Sequence, residues 1–301
     1  MANLKSIKSK ILSSKKMGTV TRAMEAVSAV KMRKSQERAL SGRAYAAAAL
    51  SVLERLSGTA DLSRHPLMQE REGKTAIIVI TSDKGLAGSL NSGVIRKADA
   101  LTRHLDTSNV VIYAFGRKGG DYFASRGFTM GLNKTNVSDQ IAESELRDIT
   151  SEIISNDDIT KVMVVYQNFI SSFEQEPTSH EIVPIKPELM QKIVQGIRPA
   201  RGRYAPQPTA ESVAAPAAYT VEPDADEVLA VLLPKLINIA VFHALLENKA
   251  SEHSARMVAM KSATDKAKEM AQAFTRKYNK VRQAVITREV SEITSGIEAM
   301  K

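Results

Sequence analysis

From about Pro234 to Ile297 the chain carries a narrow apolar seam with no further proline to break a helix. Ala267, Ala271, Phe274, Tyr278, Val281 and Val285 follow one another at alternating steps of four and three. That period belongs to a helix packed along another helix, because a 3.5-residue repeat keeps one thin stripe facing a partner. At roughly 1.5 Å per residue, about 60 residues reach about 90 Å, more than twice the width of a compact domain of this length. Most of such a helix has to project as a rod, and it needs a second helix beside it.

The partner lies at the other end of the sequence. Leu4, Ile7 and Ile11, then Met17, Val20, Met24 and Val27, fall three and four apart, with a slip between Ile11 and Met17 of the kind that marks a stutter in a coiled coil. The segment continues through Lys31-Met32-Arg33-Lys34 and the alanines 46–49 to about Leu56. No proline interrupts it, and Gly18 and Gly42 each cost a helix about 1 kcal/mol relative to alanine. Periodicity alone also fits an ordinary helical bundle. Length favours the antiparallel coiled coil, since the rest of the chain does not offer enough helices to bundle with two this long. The expected boundaries are 1–57 for the N-terminal helix and 226–301 for the C-terminal one.

The chain has no cysteine, which excludes structural disulfides, thiol catalysis and cysteine-ligated metal centres. Hydrophobic content of 43% is that of an ordinary globular protein. The most apolar stretch, 228–246, is interrupted by Pro234, Lys235, Asn238 and His243, so no membrane-spanning helix is expected. Met1-Ala2-Asn3-Leu4-Lys5 lacks the apolar block of a secretory signal, and the segment is expected to be structural. The net charge of +9 is unevenly placed. Residues 1–43 hold eleven lysines and arginines against Glu25 and Glu37, and the remainder is neutral. Such a stripe suits phosphates, an acidic protein surface or plain solvation. No aromatic residue precedes Tyr45 to stack on bases, and no nucleic-acid-binding motif accompanies the charge.

Between the helical ends, β-branched runs alternate with helical stretches over 74–187. Strands are expected at Lys74–Ser82, Asn109–Gly116, Lys161–Tyr166 and His180–Ile185. Helices are expected at about Ser92–Leu105, through Tyr122 and Phe123, and at Ile141–Ile154. This is an open α/β (Rossmann-like) sheet in three layers. The loop after its first strand, Asp83 to Asn91, has glycines only at 85 and 88, and no dinucleotide or P-loop pattern exists anywhere. Gly116-Arg117-Lys118-Gly119-Gly120 has the composition of an anion-binding nest, although glycine after a strand is more often turn chemistry. His65, His104, His180, His243 and His253 lack metal-ligand spacing, so no catalytic, cofactor or metal site is assigned. The alanine- and proline-rich stretch 197–223 reads as a linker or insertion, and Asp224 or Asp226 as the N-cap of the last helix.

Four motifs in order resemble the gamma subunit family of the F-type rotary ATP synthases, bacterial type, over nearly the whole chain. They are Thr21-Arg22-Ala23-Met24-Glu25-Ala26-Val27 with Lys31-Met32-Arg33-Lys34; Ser82-Asp83-Lys84-Gly85-Leu86-Ala87-Gly88; Ala250 to Met260; and Tyr278 to Thr287. The resemblance implies a non-catalytic central-stalk rotor. Its paired helices turn inside a ring of alpha and beta subunits, its α/β domain sits at the foot of the stalk, and its further partners are the epsilon subunit and the membrane c-ring. It places the protein peripherally on the cytoplasmic face of the bacterial inner membrane. It implies that Lys31, Arg33 and Lys34 lie near acidic loops of the catalytic subunits, and that Arg282, Gln283 and Thr287 catch one of them. Met24, packed against the stretch containing Arg256, and Asp83 with Lys84 complete the expected subunit-contact set. Two other readings compete: a coiled-coil nucleic-acid-binding protein using the basic first helix, and a nucleotide-binding enzyme using the sheet.

Overall fold

A computed structural model describes residues 4–56, 65–186 and 224–300. Five strands, β1 (Lys74–Ile80), β2 (Val110–Phe115), β3 (Thr129–Lys134), β4 (Ile159–Phe169) and β5 (Gln175–Val183), form one sheet in the order β3-β2-β1-β4-β5. The first four are parallel and β5 runs antiparallel to β4. β1 lies in the middle with every residue from Thr75 on buried, as an unbroken β-branched run requires when helices cover both faces.

The helices are α1 (Leu4–Ser41), α2 (Arg43–Leu56), α3 (Leu90–Thr102), α4 (Arg117–Ser125), α5 (Glu143–Ile154) and α6 (Ala225–Ala299). One face of the sheet, through Ile77, Val79 and Ile112, packs with Val94 and Ala98 of α3 and Phe123 of α4. The other, through Ile78, Ile80, Phe115 and Tyr166, packs with Leu53 of α2, Leu146 of α5 and the first part of α6. The start of α6 is long and apolar enough by composition to cross a membrane, which the interruptions at Pro234 to His243 had argued against. In this fold 61% of that window is buried inside the protein. Pro234 lies within α6 without ending it, and Asp226 and Glu227 occupy its first turn, where carboxylates favour the positive end of the helix dipole.

Three elements differ from the sequence reading. β3 was not anticipated, because an edge strand pairs on one side only; its side chains alternate exposed and half-buried, and Gly131 and Asn133 weaken the strand signal. The β4–β5 hairpin is longer than the two apolar runs that announced it. Polar Gln167 and Asn168 extend β4, while Pro177, tolerated on an edge strand, sits opposite Gln167 in β5. The single helix expected to Leu56 is divided at Gly42, where a side-chain carbon would stand 3.4 Å from His243 Nε2.

The chain forms two compact units, one of residues 29–256 and one of 1–28 with 257–301. The sheet lies within the expected span 74–187, while its unit also takes in α2, α1 from residue 29 and α6 to Arg256. The 197–223 linker and residues 57–64 fall outside the described residues.

The second unit is a helix pair. Lys10 Nζ lies 5.8 Å from the centre of the Phe274 ring, a carbon on Gly18 would lie 3.6 Å from Ala267 Cβ, and the hydroxyls of Thr21 and Thr264 are 2.7 Å apart. Numbers rise on one helix as they fall on the other, so the pair is antiparallel. On α6 the seam is the expected one, with Ala267 and Ala271 buried and Phe274, Tyr278, Val281 and Val285 half-buried.

On α1 the expected slip is absent. Ile7, Ile11, Ser14, Gly18, Thr21 and Ser28 continue one unbroken heptad on the inner face. Met17, Val20 and Val27, assigned to the seam by hydrophobicity, are more than half exposed. Small residues win the inner positions because they let the backbones approach, and Thr21 satisfies its hydroxyl on the Met17 carbonyl at 3.0 Å. Phe274→Ala therefore removes a half-buried ring and should lower the stability of the pair by about 1–2 kcal/mol, below the range for a fully buried phenylalanine. Val20→Ala should stay within about 0.5 kcal/mol of the parent. Thermal and urea unfolding followed by helical circular dichroism checks both, and a larger loss for Val20→Ala would overturn this seam.

Candidate functional site

A parallel sheet of this order offers a crevice at the carboxyl ends of β1 and β4, where the connections turn to opposite sides and α/β proteins place their ligands. Here the chain fills the crevice itself. β4 outruns β1, whose last partner is Val165, so the backbone of Gln167 lacks a ladder neighbour on that side. Residues 248–256 of α6 take the neighbour's place. Asn248 Oδ1 accepts from the Gln167 N–H at 3.1 Å, and Ser251 Oγ donates to the Gln167 carbonyl at 3.0 Å. Ser254 Oγ donates to the Ser172 carbonyl at 2.6 Å. Further along, Arg256 Nη2 donates to the Gly85 carbonyl at 3.3 Å and to Glu252 at 2.8 Å, and Lys249 Nζ donates to the Val137 carbonyl at 2.8 Å. One helix thus satisfies segments that follow β4, β1 and β3. This explains why a wholly buried stretch carries Asn248, Lys249, Ser251, Glu252, His253 and Ser254: polar groups out of water need partners, and strand ends supply them.

The candidate anion nest is also occupied from within. Gly116, at φ 95°, brings the start of α4 against Thr81, whose hydroxyl accepts from the Gly119 N–H at 2.9 Å. Asp83 fills the space in front. Its carboxylate accepts from the backbone N–H groups of Arg117 at 3.0 Å, Asn136 at 2.9 Å and Val137 at 3.1 Å. The carboxylate sits at the positive end of α4 and ties the ends of β1, β2 and β3 together. The rest of the Ser82–Gly88 loop is fastened by Asn91, whose Oδ1 accepts from the Ser82 N–H at 2.9 Å.

Asp139, in the loop between β3 and α5, gathers the cations. Lys31 Nζ lies 2.8 Å from one carboxylate oxygen, His253 Nε2 3.0 Å and Lys249 Nζ 3.7 Å from the other. Arg38 donates to the carbonyls of Asp139 and Ile141. The hydrogen bond from His253, and after it that from Lys31, holds the Asp139 carboxyl well below the usual carboxylate range, against the opposing cost of partial burial.

Of the residues nominated from sequence, the fold brings the Asp83 loop to Arg256 and gives Lys31 a partner within this chain. Arg33, Lys34 and Lys84 are exposed in the sheet-bearing unit. In the helix pair Met24 is half-buried, and Arg282, Gln283 and Thr287 are exposed on α6. Asn248, Lys249, His253 and Asp139 were missed. The first three had a signal, since charged and amide side chains interrupt an otherwise apolar helix; Asp139, in a polar loop, had none. Among the described residues no cluster suited to a metal ion occurs.

Asp83→Ala should destabilise the sheet-bearing unit by about 2 kcal/mol by orphaning three N–H groups, and Asp83→Asn by less, because its carbonyl still accepts. Urea unfolding measures both. For Asp139 the depressed carboxyl contributes stability fully above the unfolded value near 4, and the contribution is lost as pH falls through the lower folded value. The stability gap between parent and Asp139→Asn should accordingly close as pH falls below about 4. A gap that widens in acid would contradict the assigned pairing.

Comparison with known proteins gives one answer. A family described as ATP synthase matches residues 3–300. The ATP synthase gamma chains of Pelotomaculum thermopropionicum and Geotalea daltonii are each 37% identical over the full length of both chains. Among solved structures, a chain of the Euglena gracilis mitochondrial ATP synthase (OSCP/F1/c-ring) superposes with a TM-score of 0.64 at 17% identity, covering 99% of this chain and 94% of that one. A chain from the central stalk and c-ring of the Tetrahymena thermophila enzyme gives 0.59 at 21% identity, covering 81% and 99%. The structural likenesses carry the fold, and the full-length identity to the curated relatives carries the family: the chain belongs to the ATP synthase gamma chain family.

Proposed function

We propose that this chain, the non-catalytic central-stalk rotor of an ATP synthase, works by presenting a charged helix pair to a ring of alpha and beta subunits and its sheet-bearing unit to the epsilon subunit and the membrane c-ring. The observation that carries this reading is the partition of charge. The helix-pair unit holds the whole net charge of +9, and residues 29–256 balance to zero. A groove of about 1090 Å³ along the pair is floored by alanines and edged by Lys15, Arg22, Lys268 and Arg276, with no carboxylate among its lining residues. Such a surface attracts acidic loops through contacts of about 0–1 kcal/mol each, weak enough to break and re-form as a shaft turns. ATP is made or hydrolysed on the partners, and this chain orders their conformations in sequence. The plugged crevice and the self-occupied nest of the sheet fit that division, since both places where an α/β sheet takes a ligand hold the chain's own residues.

Within the complex we assign Arg33, Lys34, Arg282, Gln283 and Thr287 to contacts with the catalytic subunits, supported by their exposure and by the motifs that contain them. Lys31 and Asp83 are engaged inside the chain, and their part is to hold the surfaces that make contact. The complex sits peripherally on its membrane. The bacterial origin of the curated relatives supports the cytoplasmic face of the inner membrane.

Reconstitution with purified alpha and beta subunits tests the reading. The ternary complex should hydrolyse ATP and the isolated chain should not. Arg282→Ala combined with Gln283→Ala and Thr287→Ala should lower turnover several-fold, while the stability of the free chain changes by less than about 0.5 kcal/mol, as exposed substitutions do. Unaltered turnover in the triple variant would remove these three from the contact set. Salt-sensitive capture of nucleic acid in place of the alpha and beta subunits would favour the nucleic-acid reading instead.

A further inference from the structure

Within the sheet-bearing unit α6 meets the sheet mainly through apolar side chains, Leu233, Leu236, Ile237 and Val241 among them. Such contacts resist separation, but they are non-directional, and one apolar face slides on another more readily than it parts. Hydrogen bonds from Asn248, Ser251 and Arg256 also tie α6 to the strand ends and loops, but they hold that helix alone. The Asp139 cluster is different in kind. Its loop meets α1 through Lys31 and Arg38 and meets α6 through His253 and Lys249. Lys249, 6% exposed, and His253, 3% exposed, are buried at the contact. Lys249 also reaches Val137, whose own N–H is held by Asp83. Glu252, 3.7 Å from Lys249, is held in turn by Arg256. The hydrogen bonds of Lys31, Arg38 and His253 to the Asp139 loop and of Lys249 to Val137 are directional, and a rotation of either helix by a fraction of a turn would break several at once. Fixing register is the best-attested use of buried ionic groups.

We propose that Asp139 is a register pin: it fixes the rotational setting of α1 and α6 against the sheet, so that torque passes between the helices and the sheet-bearing unit without slip. The proposal rests on the rotor function, and it makes Asp139 a positioning residue with Lys31, Lys249 and His253 as its partners.

The test uses the complete ATP synthase in membrane vesicles, assembled with the full chain, and reads the ratio of ATP-driven proton pumping to ATP hydrolysis. Asp139→Asn should leave hydrolysis within about twofold while the ratio falls by about fivefold, as expected when slipped settings become comparably populated. Asp139→Glu should recover most of the ratio. Leu146→Ala, which opens the buried core beside α5, serves as a destabilised control and should keep the parent ratio. An unchanged ratio in Asp139→Asn, or an equal fall in Leu146→Ala, would overturn the pin. Absence of pumping with the unaltered chain would overturn the rotor function and the pin with it.

Discussion

A parallel sheet ends in strands of unequal length, and each overhanging backbone group must find a hydrogen-bond partner once it is buried. In this chain the overhang is Gln167, and the partners are Asn248 and Ser251 of α6. Much follows from that substitution of a helix for a strand. A helix that completes a sheet edge must enter the protein interior with polar residues on it, and those residues need further partners in the neighbouring loops. Lys249 and Arg256 find theirs at Val137 and Gly85. The loops after β1 and β3, which an enzyme of this architecture would leave open for a ligand, are thereby held by the C-terminal helix.

Asp83 completes the closure. Fold geometry alone creates an anion-binding place where the first turn of α4 approaches β1, since the turn at Gly116 presents the Arg117 N–H at the positive end of a helix. A carboxylate from the neighbouring loop occupies it and binds three backbone donors. The same chemistry that elsewhere recognises phosphate serves here to fasten three strand ends. A sheet whose ligand positions are filled by hydrogen-bonded residues of its own chain is stiffer than one waiting for a substrate, and stiffness is what a torque-bearing base needs.

How far this was legible in the sequence differs by element. The α6 seam could be read because its half-buried line runs through Phe274, Tyr278, Val281 and Val285, large residues that periodicity detects. The α1 seam was misread from Met17 onward because close approach selects Gly18 and Thr21, while the large Met17 and Val20 face outward. Hydrophobicity marks burial, but a tight helix pair is sorted by size. The central strands were plain because burial on both faces demands continuous β-branched runs, and β3 was hidden because an edge strand does not. The loop motif around Asp83 was visible as a pattern, yet its role depends on N–H groups more than thirty residues away. Asp139 had no signal at all, since nothing local marks one aspartate in a polar loop as the meeting point of two helices.

The distribution of charge ties these observations to motion. The sheet-bearing unit, internally neutral, settles its ions within itself: Asp139 with Lys31 and Lys249, Glu252 with Arg256, Glu181 with Lys161 and Lys186. The helix pair leaves an excess of cations exposed along its length. Lys249 and Glu252, buried at their contacts, hold a register, because breaking such a contact strands a charge away from water. Exposed charges hold nothing permanently, because solvent and salt replace a lost partner at little cost. A rotor needs both behaviours in separate places, a base that does not slip and a shaft surface that releases each contact as it forms the next. The sequence separates them by placing its buried ionic partners inside one unit and giving the other an excess of cations with exposed pairs, Lys266 with Glu269 and Arg288 with Glu292.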